Sequence, residues 1–127
     1  MKKILIVEDE QAYLKLLSDQ LAERSYKVVS ALNGDEGLAK AKKEQPDLIL
    51  LDIRMPKMDG LTMLHLLRQD ERNSGSGKKA KVIMLTNLEP DETIVQKAVT
   101  DQPAFYFVKS DTRLEDLIKK IEELLDQ

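Results

Sequence analysis

DLILLDIRMPKMDG, residues 47–60, runs four apolar residues, Leu48, Ile49, Leu50 and Leu51, straight into Asp52. Continuous Leu and Ile without polar alternation describe a strand buried on both faces, the pattern of parallel strands in α/β domains. Asp52 therefore stands where a central strand stops. In open α/β sheets ligands collect in the crevice outside the carboxyl ends of the strands, so a carboxylate at that point is a candidate for chemistry. Pro56 and Asp59-Gly60 read as a loop leading into a helix.

Four more apolar runs flank this one: Ile4 to Val7, Tyr26 to Ala31, Val82 to Leu85 and Phe105 to Val108. Helical patterns lie near residues 10–24, 34–44, 58–72, 91–101 and 112–126. The alternation predicts a doubly wound, flavodoxin-like α/β domain, with a five-stranded parallel sheet and five helices on its two faces. The run from Tyr26 to Ala31 admits polar residues and is placed at an edge, which suits strand order 2-1-3-4-5 with its switch point between strands one and three. The last helix is the clearest: Leu114, Leu117, Ile118, Ile121, Leu124 and Leu125 follow helical spacing, and Thr112 with Glu115 forms a candidate capping box.

With 127 residues, the chain is expected to be one domain, residues 1–127, able to bury a core without staples. It has no cysteine, which excludes disulfides and thiolate metal sites. Neither a signal peptide nor a membrane span is encoded, so a cytoplasmic location is expected. A net charge of −3, from 20 basic and 23 acidic residues interspersed, gives no footprint for direct nucleic-acid binding. The segment from Asn73 to Lys79 reads as a flexible loop at the amino ends of the strands. Its likeness to a P-loop fails, because Arg72 stands where the first glycine belongs and Lys79 where Ser or Thr should be. A dinucleotide site is disfavoured, since no GxGxxG follows the first strand.

At their carboxyl ends the apolar runs give way to Glu8 and Asp9, then Asp52, Thr86 and Lys109. In a parallel sheet these ends share one edge. Converging carboxylates repel, and the usual remedy is a hard divalent cation with oxygen ligands, which points to Mg²⁺. Lys109 can pair with phosphate and Thr86 can offer a hydroxyl. A carboxylate nucleophile, metal, lysine and hydroxyl compose a phosphoryl-acceptor site. Singly, each acid is better explained as a helix cap or first-turn residue; their joint placement reverses that. Met55, Met58 and Met63 read as packing, and His65 as a helix-surface residue.

These residues also carry a resemblance. LDIRMPKMDG around Asp52, ILIVEDE around Glu8 and Asp9, MLT ending at Thr86 and YFVK ending at Lys109 resemble the receiver domain of two-component response regulators, of the chemotaxis single-domain type, over essentially the whole chain. The resemblance implies that Asp52 is the phosphoacceptor and Asp9 a direct Mg²⁺ ligand. Glu8 would be a ligand or water-mediated partner, and the Arg54 main-chain carbonyl a further ligand. Thr86 and Tyr106 would form the switch pair. Tyr106 also has its own rationale, since a phenol on an edge strand can point outward or turn inward.

The donor so implied is a sensor histidine kinase or histidine phosphotransferase. The output would be a protein-interaction face of helix four, strand five and helix five, which could also serve a homodimer, with an unidentified downstream protein as partner. The chain would not be an enzyme, although it would catalyse its own Mg²⁺-dependent phosphorylation and dephosphorylation. Two positions depart from the family pattern: Asn87 follows Thr86 where a small residue is usual, and Ser110 follows Lys109 where proline is usual. A trans Lys109–Ser110 bond is expected, because a cis bond without proline costs roughly 2.5–4 kcal/mol. Two other readings stand beside this one. A metal-dependent aspartyl-phosphate phosphatase lacks a second acid, since Arg54 lies two residues past Asp52, and lacks a substrate-binding cap. A passive receiver-like interaction module would bind metal without accepting phosphate.

Overall fold

The computed structural model describes residues 1–53, 55, 58–75, 79–86, 105–109 and 113–126, with the Thr86 side chain excepted. The described elements are β1 (Lys3–Val7), α1 (Gln11–Glu23), β2 (Lys27–Ala31), α2 (Gly34–Glu44), β3 (Leu48–Asp52), α3 (Gly60–Ser74), β4 (Lys81–Thr86), β5 (Phe105–Val108) and α4 (Leu114–Leu125). The sheet is parallel throughout, in the order β2-β1-β3-β4-β5, with β2 at an edge as its mixed composition indicated. Four helices belong to the described residues; the predicted helix over 91–101 lies outside them.

Alternation along the strands divides the core in two. Leu5, Val7, Ile49, Leu51, Val82 and Met84 face α2 and α3, packing with Ala41, Met63, Leu64 and Leu67. Ile4, Ile6, Leu48, Leu50, Ile83 and Leu85 face α1 and α4, packing with Leu17, Leu21, Leu117, Ile118, Ile121 and Leu125. All five residues of β3 are buried, which is why its sequence shows no polar alternation. Met55 and Met58 pack against the α2–α3 side, and His65 lies on the exposed face of α3.

Three local expectations change. Helix α3 starts at Gly60 rather than near residue 58, because the Asp59 side chain accepts the Thr62 N–H at 2.8 Å and caps it. It also continues through Asn73 and Ser74, which the loop reading had excluded, and ends at Gly75 in the left-handed conformation. Buried Arg68 secures this end, donating to Glu71 Oε1 at 2.7 Å and to the Ala80 carbonyl at 2.8 Å. Finally, Arg113 rather than Thr112 takes the N-cap position of α4, with no side-chain cap; Glu115 and Asp116 in the first turn complement the helix dipole instead. Thr112 itself lies outside the described residues.

Candidate functional site

Register builds the site. Val7 pairs with Leu51 across β1 and β3, so Glu8 and Asp52, each one residue further on, end side by side. Asp52 pairs with Leu85, and Thr86 pairs with Val108, which brings Lys109 to the same edge one residue later. Glu8, Asp52 and Lys109 continue the alternate positions of Ile6, Leu50 and Phe107, all directed toward the α1–α4 side of the sheet. One residue of slip in any strand would turn a site side chain to the opposite face.

Glu8 is fully buried and Asp52 is 6% exposed, whereas Asp9 is open to solvent. One oxygen from each of the three carboxylates lies within 4.8 Å of the others. A compact, oxygen-only set with an open side fits a hard divalent cation that keeps part of its hydration shell. The acids are not helix caps: Glu10 is the N-cap residue of α1, its side chain makes no capping bond, and the first turn carries no acid. Glu8 does accept the Glu10 N–H, at 3.3 Å.

Lys109 takes Glu8, not Asp52, as its main partner. Its Nζ donates to Glu8 Oε1 and Oε2, both at 2.8 Å, and stands 3.7 Å from Asp52 Oδ2. The three side chains are nearly closed off from solvent, the lysine at 8%, the glutamate at 1% and the aspartate at 8% exposure. The ammonium thus supplies the counter-charge that lets two carboxylates share a buried edge.

Tyr13, on the first turn of α1, completes the surround: Lys109 Nζ lies 4.6 Å from its ring centroid. Its phenol is pushed up to about 12, first by burial and then by the charges of Glu8, Glu10 and Asp52. Sequence reading missed Tyr13. The available signal was an aromatic residue four positions past Asp9, beside the acid cluster. It also read Gly60 as a plain loop residue, whereas a Cβ there would collide with the Asp52 carbonyl oxygen. Gly60 N–H donates to the Ile53 carbonyl at 2.7 Å, so the start of α3 lies directly against the end of β3.

Other expected site residues fall differently. The Tyr106 side chain turns inward against the α2–α3 core, with its hydroxyl oxygen buried. The backbone of Thr86 ends β4 beside Val108. Arg54, Asn87 and Ser110, and with Ser110 the expected trans bond, lie outside the described residues.

Fold and site together define a flavodoxin-like α/β domain with an acidic cluster at the carboxyl edge of its sheet. The chain belongs to the response regulator receiver domain family, whose model matches residues 4–122. It is 35% identical to the DNA-binding dual master transcriptional regulator RpaA of Synechocystis sp., over 98% of this chain and 49% of that protein. It is 31% identical to the response regulator PleD of Caulobacter vibrioides, over 95% of this chain and 28% of that one. The chain spans about half or less of the length of these curated relatives.

Among solved structures, a CheY-like receiver domain protein from Methanospirillum hungatei superposes with TM-score 0.87 at 31% identity, covering 99% of this chain and 94% of that one. The response regulator TrrA of Thermotoga maritima, solved in complex with Mg²⁺ and BeF, gives TM-score 0.81 at 34% identity, covering 98% and 100%.

Proposed function

We propose that this domain accepts a phosphoryl group on Asp52 from a phosphohistidine donor, a sensor histidine kinase or histidine phosphotransferase, and changes a protein-interaction face in response. The observation that carries this reading is Asp52 itself: a carboxylate at the end of the central strand, beside two further acids and a lysine. In the transfer an Asp52 oxygen attacks phosphorus, the phosphorus–nitrogen bond breaks, and the imidazole leaves with the electron pair and takes a proton. Glu8, Asp9, Asp52 and the Arg54 main-chain carbonyl would hold Mg²⁺. The cation would neutralise charge on the phosphoryl oxygens.

Lys109 changes partner in this scheme. It holds Glu8 in the resting site and sits near enough to Asp52 to meet a phosphoryl group there. Thr86 and Tyr106 are proposed as the switch pair; they lie on neighbouring strands, with Met84 paired to Tyr106 and Thr86 two residues further along. Phosphorylation turns the single negative charge of the Asp52 carboxylate into about two on the acyl phosphate, a net gain of about one negative unit, and adds three acceptor oxygens that can bias a two-state surface. That surface is assigned to residues 91–101, β5 and α4, and it would serve a downstream protein or a second copy of the chain.

The domain acts as a signalling module rather than an enzyme on external substrates. A cytoplasmic site of action accords with the phosphohistidine donor, and no described helix is long and apolar enough to cross a membrane. The complex that TrrA forms with Mg²⁺ and BeF supports the metal and phosphoryl assignments by similarity. Incubation with a small acyl phosphate and Mg²⁺ should add one phosphoryl mass, and Asp52→Asn should abolish it. Undiminished labelling of that variant would refute the assignment.

A further inference from the structure

The ammonium of Lys109 has two kinds of neighbour. On the sheet edge stand the carboxylates, Glu8 at 2.8 Å and Asp52 at 3.7 Å. On the α1 side stands the Tyr13 ring, 4.6 Å from Nζ to centroid. The ring is half-buried against the α1–α4 core, so helix packing as well as the lysine holds it. An aromatic face attracts a cation, yet it offers no anionic oxygen that would compete with the carboxylates for a metal. Its attraction is also spread over the face, which lets an ammonium slide without losing a directional hydrogen bond.

We propose that Tyr13 is a positioning residue: its ring backs the Lys109 ammonium, keeping it dry and free to move from Glu8 to a phosphoryl group on Asp52. The ordinary alternative is that Tyr13 only fills space under α1. The two differ in what a substitution does. Leu fills comparable apolar space but has no π face, whereas Phe keeps the face and loses only the hydroxyl. Packing alone predicts no special response of Lys109 to the first change.

This inference rests on the phosphoacceptor reading for its kinetic part, so the test includes a measurement free of metal and phosphate. The Lys109 ε-methylene protons, assigned by comparison with Lys109→Met, are observed by NMR in EDTA for wild type, Tyr13→Phe and Tyr13→Leu. Ring-current shielding should place them upfield of the other lysines in wild type and Tyr13→Phe, and return them to the ordinary position in Tyr13→Leu.

With acyl phosphate and Mg²⁺, Tyr13→Leu should phosphorylate about three- to thirty-fold more slowly, the range set by a partly desolvated cation–π contact. Tyr13→Phe should keep the wild-type rate, and neither variant should lose Mg²⁺ affinity, since Tyr13 contributes no carboxylate. An unshielded Lys109 in wild type, or an undiminished rate in Tyr13→Leu, overturns the proposal. Failure of wild type to label at all instead refutes the phosphoacceptor reading, while the shielding measurement still decides the contact.

Discussion

Lys109→Met removes the ammonium but keeps an unbranched apolar stem, so it isolates the charge that Lys109 brings to the site. The loss leaves Glu8, fully buried, and Asp52, 6% exposed, facing each other without their counter-charge. Breaking a buried ion pair from one side costs about 3–5 kcal/mol. The open side at Asp9 argues for the lower end, ~3 kcal/mol, or a melting temperature roughly 10 °C lower for a domain of this size. Added Mg²⁺ should reverse this.

A ligand at a hundred times its Kd stabilises by about 2.7 kcal/mol, close to the deficit. In wild type the metal must first compete with Lys109 for Glu8, so the variant should gain more from the same Mg²⁺ concentration. Urea denaturation of both proteins in EDTA and across a Mg²⁺ series measures each term. A variant as stable as wild type in EDTA, or one that gains no more from Mg²⁺, would refute the argument that Lys109 is the resting counter-ion of Glu8.

Gly60→Ala should destabilise the fold by about 1–3 kcal/mol, because the new methyl meets the Asp52 carbonyl and forces α3 and β3 apart; an unchanged urea midpoint would contradict this close approach. Tyr13 ionises near 12 in the folded protein against an ordinary value of 10.0, so the stability it contributes is complete below pH 10 and is lost as pH rises toward 12. Alkaline titration of tyrosinate absorbance should show that late phenol in wild type and lose it in Tyr13→Phe. Thr86→Ala should still accept phosphate, yet show smaller phosphorylation-dependent amide shifts in β5 and α4; identical shifts in both proteins would disprove the proposed coupling.

Periodicity in the chain determined the layer plan. Unbroken Leu and Ile from residue 48 to 51 read as a strand covered on both faces, and the mixed run ending at Ala31 as an edge, and the sheet order bears both out. Once the sheet is parallel, every strand end falls on one side, so Glu8, Asp9, Asp52 and Lys109 are legible as neighbours in the sequence itself. Local pattern carries this much because burial repeats at the period of the element itself.

Partner choice was left to the tertiary structure. Lys109 and Glu8 are 101 residues apart, and only the register of β1, β3, β4 and β5 decides that the ammonium bonds to Glu8 while standing further from Asp52. Tyr13 reaches the lysine only because α1 packs across the same sheet face. The ends of α3 and α4 were likewise misplaced by a few residues, since caps depend on single hydrogen bonds rather than a repeating pattern. Ångström-scale contacts between distant segments arise from the summed packing of both sheet faces, which no local stretch of the chain encodes.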